Sequence, residues 1–108
     1  MTSSELFNVL KGLASEARVD PQLEASIFIE LGDPDPAQWH GRISGGALLL
    51  AEEAPPRPDL TVSASSDTAV GLFEKKINPM TALMTGKIKV RGDVAKIMLL
   101  KDLLSKKN

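Results

Sequence analysis

The 108-residue sequence predicts an α+β domain, on three observations. Apolar residues recur at helical spacing near the N-terminus. They alternate at strand spacing through the middle of the chain. Helix-start signals then dominate the last third, with one further alternating segment between them.

The first element is an amphipathic helix over residues 3–18. Thr2 and Glu5 have capping-box spacing. Leu6, Leu10, Leu13 and Ala17 follow at helical intervals, with Phe7, Val9 and Ala14 widening the stripe. Pro21 closes the helix off.

The period then changes. Ile27, Ile29 and Leu31 alternate with Ser26, Phe28 and Glu30, the pattern of a strand with one buried face. Asp33-Pro34-Asp35-Pro36 marks a turn. A second strand spans Gln38 to Ser44, with Trp39, Gly41 and Ile43 on one face. Gly45-Gly46 signals a hairpin into a third strand, Ala47 to Glu52. The Leu48-Leu49-Leu50 run predicts burial on both faces, or one buried face plus a cavity wall. The prolines at 55, 56 and 58 exclude a central strand there. A fourth strand carries Leu60, Val62 and Ala64 on one side. The short links predict an antiparallel meander for the first three strands, with the fourth joining the same sheet.

Ser66 is the expected cap of the next helix, whose stripe is Ala69, Val70, Phe73 and Ile77. Asn78-Pro79 starts another, with Asn as cap and Pro at the first helical position, and Met80, Leu83 and Met84 as its apolar face. Gly86 terminates it. Lys87-Ile88-Lys89-Val90-Arg91 alternates as a fifth strand with its basic positions toward solvent. Asp93 caps a final helix in which Val94, Ile97, Met98, Leu99, Leu100, Leu103 and Leu104 cover more than one apolar stripe. A partner chain, a membrane or an apolar ligand would have to cover the surplus.

Composition narrows the function. A net charge of −1 argues against nucleic-acid binding. Lys75-Lys76 and Lys106-Lys107 read as solvated helix ends or as weak attractors of anionic membrane. The absence of cysteine excludes disulfides, thiolate metal sites and thiol nucleophiles. The single histidine, His40, provides neither a catalytic triad nor a metal set. Asp33 and Asp35 are close in sequence but belong to the turn. No catalytic residue, metal or cofactor is expected, and no enzymatic activity. The start lacks a signal peptide and no apolar run reaches membrane-spanning length, so a cytoplasmic location is expected.

The block Lys75-Lys76-Ile77-Asn78-Pro79-Met80-Thr81-Ala82-Leu83-Met84-Thr85-Gly86-Lys87-Ile88-Lys89-Val90-Arg91-Gly92-Asp93 resembles the signature region of the sterol carrier protein 2 family. That family carries an Asn-Pro helix start, a Gly-Lys turn, an alternating strand and a Gly before the last helix. Looser likeness extends upstream through Asp59-Leu60-Thr61-Val62 and the meander.

The resemblance implies one domain over residues 1–108, of the stand-alone prokaryotic kind. It implies a five-stranded, mostly antiparallel sheet covered on one side by helices and enclosing a hydrophobic tunnel. It implies binding or transfer of fatty acids, fatty acyl-coenzyme A, phospholipids or sterols. One departure is specific: Ile97-Met98-Leu99-Leu100 is apolar where family members often carry glutamines. A tunnel lined this way offers no polar partner to a sterol hydroxyl at that point.

The expected ligand-binding wall is Phe73, Ile77, Met80, Leu83, Met84, Ile97, Met98, Leu100 and Leu104. Each also fits an ordinary core, and methionine suits both roles. Two competing functions are a protein-interaction domain that forms a homodimer through the last helix, and an accessory domain of a lipid-metabolising enzyme. Transient membrane contact is compatible with any of the three.

Overall fold

The capping box at the N-terminus forms as the spacing predicts. In the computed structural model, which describes residues 1–98, the Thr2 hydroxyl accepts from the Glu5 amide at 3.0 Å and Glu5 accepts from the Thr2 amide at 2.7 Å. Helix α1 follows over Ser3–Glu16. It buries Ser3, Leu6, Phe7 and Ala14, while Val9 and Leu13 are exposed. The buried stripe is thus rotated from the expected one, toward Phe7 and away from Leu13.

Strands β1 (Ala25–Gly32), β2 (Ala37–Ser44) and β3 (Ala47–Ala51) make the antiparallel meander. The β2–β3 turn places Gly45 and Gly46 at φ of 59° and 84°, a left-handed pair that residues with a Cβ rarely adopt. Strand β4 (Leu60–Ser65) pairs with β1 in parallel, and β5 (Ile88–Gly92) pairs antiparallel with β4. The order is β3-β2-β1-β4-β5, so β1 lies at the centre of the five. The sheet is mixed, with one parallel pair where the chain crosses back from β3 to β4.

Register puts one set of residues on one face. Ile27 stands beside Gly41 and Leu60, Ile29 beside Trp39 and Val62, Leu31 beside Ala37 and Ala64. Leu48 and Leu50 join from β3, Ile88 and Val90 from β5. The opposite face carries Ser26, Glu30, His40, Thr61 and Ser63, with Phe28 half-buried among them. Leu49 belongs to that polar face and is 60% exposed, so the Leu48-Leu49-Leu50 run is buried on one face only.

Helix α1 packs on β3, and α2 (Ser66–Phe73) packs on β4, β1 and α1. The core is Leu6, Phe7, Leu31 and Trp39, with Leu10, Leu50, Val70 and Phe73 packed around it. The Phe7 and Trp39 rings lie 5.5 Å apart at 51°, a tilted aromatic contact. The cap of α2 is Ser65, one residue before the expected Ser66; its hydroxyl accepts from the Thr68 amide at 3.0 Å.

The acidic turn has a structural use. Asp35 Oδ2 accepts from the Ser3 amide at 2.6 Å, and the Ser66 hydroxyl accepts from the Asp35 amide at 2.9 Å. One turn residue therefore ties the starts of α1 and α2 to the end of β1. The carboxylate sits at the electropositive start of a helix, where it is favoured.

Candidate functional site

The segment after α2 builds a groove from local signals. Asn78 Oδ1 accepts from the amides of Met80 and Thr81, at 2.9 and 3.1 Å, and Pro79 opens the short helix α3 (Pro79–Met84). Ala82 is fully buried and anchors α3. Met80 and Leu83 on the same helix are half-buried and Met84 is exposed. Gly86, at φ 81°, reverses the chain, and the Lys87 amide donates to the Ala82 carbonyl at 2.9 Å. This turn delivers Ile88 opposite Ala64 and Val90 opposite Val62 on the helix-bearing face.

Gly92 then closes the strand at φ 129°. A Cβ there would overlap the Asp59 carbonyl, so only glycine can pass. The Asp93 amide donates to that same carbonyl at 3.0 Å. Asp93 Oδ1 accepts from the Ala95 amide at 2.9 Å and starts a helix over 94–98. Ile97 is thereby carried back toward α3.

The result is a groove of about 420 Å³ lined by Met80, Leu83, Met84, Ile88, Val90 and Ile97, with Gly86 and Lys89 at its edge. The volume is within the roughly 300–1,000 Å³ of ligand pockets, and the mostly apolar lining suits an apolar ligand. Lys89 is the one ionisable side chain in that lining. A second hollow, about 580 Å³, shares Gly86 and Lys89 and mixes Glu30, Asp33, Ser63, Ser65 and Lys87 with Leu31 and Ala64 in its lining. A third, about 290 Å³, lies among Glu24, Ser26, Arg42, Asp59 and Lys96.

Of the nine wall residues expected from sequence, Met80, Leu83, Met84 and Ile97 meet in the groove. Phe73 packs against the core around Trp39 instead. Ile77 lies over Gly71, so close that a Cβ on Gly71 would come within 2.5 Å of Ile77 Cδ1. Met98 is 56% exposed beside the groove. Leu100 and Leu104 lie outside the described residues. Ile88 and Val90 were not expected as walls. Their alternation with Lys87, Lys89 and Arg91 carried the signal, since it sets both on the covered face of the sheet.

Polar chemistry is arranged elsewhere. The Ser26 hydroxyl and His40 Nε2 are 2.9 Å apart on the opposite face of the sheet, away from Trp39. Asp59 Oδ2 accepts from the Ser26 amide at 2.8 Å, which spends that carboxylate on strand pairing. Among the described residues no group of three or more His, Asp or Glu side chains could hold a metal, and no helix is long and apolar enough to cross a membrane. The hydrogen bonds of Glu5 with the Thr2 amide, then the Thr2 hydroxyl, hold its carboxyl below the usual glutamate value.

The sequence profile of the SCP-2 sterol transfer family matches residues 7–105. Hydroxysteroid dehydrogenase-like protein 2 of Mus musculus is 30% identical over 105 residues, which is 96% of this chain and 21% of the mouse protein. The chain spans about a fifth to a quarter of the length of the curated relatives it matches. The solution structure of palmitated SCP2L2 from Aedes aegypti superposes with a TM-score of 0.79 at 18% identity, covering 96% of this chain and 95% of that one. The sec-alkylsulfatase Pisa1 from Pseudomonas sp. contains a similar fold, with a TM-score of 0.62 at 20% identity over 90% of this chain and 15% of the sulfatase. At these identities the structures establish the shared fold, and the profile match over nearly the whole length establishes the kinship: this chain belongs to the SCP-2 sterol transfer family.

Proposed function

We propose that residues 1–108 act as one lipid-binding domain, which takes the acyl chain or ring system of a fatty acid, fatty acyl-coenzyme A, phospholipid or sterol into the groove between α3, β5 and the last helix. The observation that carries this reading is the apolar groove itself, framed by Met80, Leu83, Ile88, Val90 and Ile97 in a member of a sterol transfer family. The palmitated state of the SCP2L2 neighbour supports an acyl chain as one ligand class. Met98, Leu100 and Leu104, expected as wall residues from the sequence, are proposed to continue the groove beyond Ile97.

Binding is driven by apolar burial, about 0.8 kcal/mol per methylene. Affinity should therefore rise about fourfold per carbon until the space is full. Delipidated protein is titrated with an environment-sensitive fatty acid, which is then displaced by unlabelled chains of increasing length. Saturation with a chain-length optimum supports the proposal. Absence of binding by folded protein overturns it.

The lengths of the relatives favour a second reading. The matched region is a minor part of proteins named for dehydrogenase and sulfatase activities. The domain would then hold a lipid for a separate catalytic unit rather than ferry it between membranes. A catalytic unit whose KM for a lipid substrate falls when this domain is supplied in trans would support that role.

A further inference from the structure

The groove does not stop at Gly86. That glycine and Lys89 also line the second hollow, about 580 Å³, so the two spaces meet at the start of β5. Their linings differ in charge. The groove has one ionisable side chain, and the hollow has Glu30, Asp33, Lys87 and Lys89. An amphiphile with its chain in the groove would reach this hollow with its head group.

Register sorts these charges by sign. Glu30 stands beside Ser63 and Ser63 beside Lys89, so one row across three strands reads carboxylate, hydroxyl, ammonium. Neighbouring strands lie about 4.8 Å apart, which separates the backbones at Glu30 and Lys89 by roughly 10 Å. Asp33 follows β1 and adds a second carboxylate on the acidic side. Lys87 precedes β5 and adds a second ammonium on the basic side. Among the described residues the one ion pair joins Lys76 to Glu74, so the acids and bases of the hollow do not neutralise each other. Glu30 Oε1 accepts from the Ser63 hydroxyl at 3.3 Å, which holds the half-buried carboxylate toward the middle of the row. An anionic head group would be drawn to the lysines and repelled by the acids, and a cationic one the reverse. A head group of both signs satisfies the two sides at once.

We propose that the second hollow is a head-group subsite that selects zwitterionic amphiphiles, those with a phosphate and an ammonium joined by a two-carbon bridge, over anionic ones with the same chain. Glu30 and Asp33 face the ammonium, Lys87 and Lys89 face the phosphate, and the Ser63 hydroxyl lies between. The proposal rests on the lipid-binding reading of the groove and adds the head-group chemistry, with the two carboxylates as the specificity-determining residues. A charge contact at a solvent-exposed site changes affinity by up to about fivefold.

The experiment loads the delipidated full chain with an environment-sensitive fatty acid and displaces it with single-chain competitors kept below micelle-forming concentration. Lysophosphatidylcholine, lysophosphatidylglycerol and an alkyltrimethylammonium of equal chain length supply a zwitterionic, an anionic and a cationic head group. The zwitterion is expected to displace at about fivefold lower concentration than either of the others. The margin should narrow as salt rises. The Glu30→Gln/Asp33→Asn double variant should bring zwitterion and anion level at parental Tm, because glutamine still accepts from the Ser63 hydroxyl and Asp33 is exposed. Lys87→Gln should instead narrow the margin over the cationic competitor.

Equal displacement by zwitterion and anion overturns the proposal, as does a preference that survives in the double variant. A cationic competitor that matches the zwitterion also overturns it, since the lysines would then take no part. The fatty acid separates the two ideas. If it binds while the head groups are not told apart, the subsite fails and the carrier reading stands. If neither the fatty acid nor any competitor binds folded protein, the carrier reading fails and takes the subsite with it.

Discussion

Over β1, β2 and β3, the helix-bearing face of the sheet is filled by Leu6, Phe7 and Trp39, each at most 4% exposed. Over β5, the same face carries Ile88 and Val90 beneath a groove of about 420 Å³ whose far wall includes Met84, 82% exposed. The register runs without interruption from one region to the other, since Leu31, Ala64 and Ile88 form one row across three strands. What differs is the covering element. The fourteen residues of α1 present two large buried side chains to the sheet. Of the six residues of α3, Ala82 is the one that is fully buried, with Met80 and Leu83 half-buried. A short helix on a small anchor leaves space that a long amphipathic helix fills.

That difference predicts opposite responses to truncation. Trp39→Ala should cost about 3–5 kcal/mol in urea unfolding, as for other large buried aromatics. Gly92→Ala should come next, at about 2–3 kcal/mol, because it combines a left-handed φ with overlap on the Asp59 carbonyl. It should also loosen β5 and so weaken fatty-acid binding. Met84→Ala should change stability by less than about 0.5 kcal/mol, as at other exposed positions. If Met84 lines a working site, its effect should fall on ligand affinity or chain-length preference instead. A Met84 variant with parental binding would move the ligand deeper, toward Leu83 and Ile97.

The smallest effect belongs to the packed half. Glu5 has a pKa lowered by Thr2, so its contribution to stability is present above the unfolded glutamate value. It is lost as the pH falls through the lower folded value. Glu5→Gln should flatten the acid limb of a plot of Tm against pH, leaving the neutral region almost unchanged.

Much of this architecture is legible in the sequence because its signals are local. The Thr2–Glu5 box, the Gly45-Gly46 turn, the Asn78-Pro79 start and the Asp93 cap each specify an element through neighbouring backbone groups. The parallel pairing of β1 with β4 is not legible in that way, because the intervening β2–β3 hairpin hides which strand β4 will meet. The rotation of α1 is equally hidden. Leu13 and Leu10 fit one helical stripe equally well, yet Leu10 packs against the core and Leu13 is exposed.

The groove shows the same limit. The methionines and Leu83 could be named from the Asn-Pro block, but Phe73 and Ile77 continue that stripe in sequence and leave it in space. The chain bends after α2, where Lys75 adopts φ 62° and the Lys76 and Ile77 amides both donate to the Gly71 carbonyl. A stripe counted along a helix stops being a stripe once the helix ends at Phe73.

The central position of β1 sets how the molecule breathes. Its ladder with β2 and its ladder with β4 are the seam between the packed half and the groove half. Strand β5 is held by β4 on one side and lies at the sheet edge on the other, so its amides can open while the hydrogen bonds of β1 stay closed. In deuterated water the β5 amides should exchange through local opening, and those of β1 should wait for global unfolding. A ligand seated against Ile88 and Val90 would slow that local exchange, making the groove's own wall a reporter of whether it is filled.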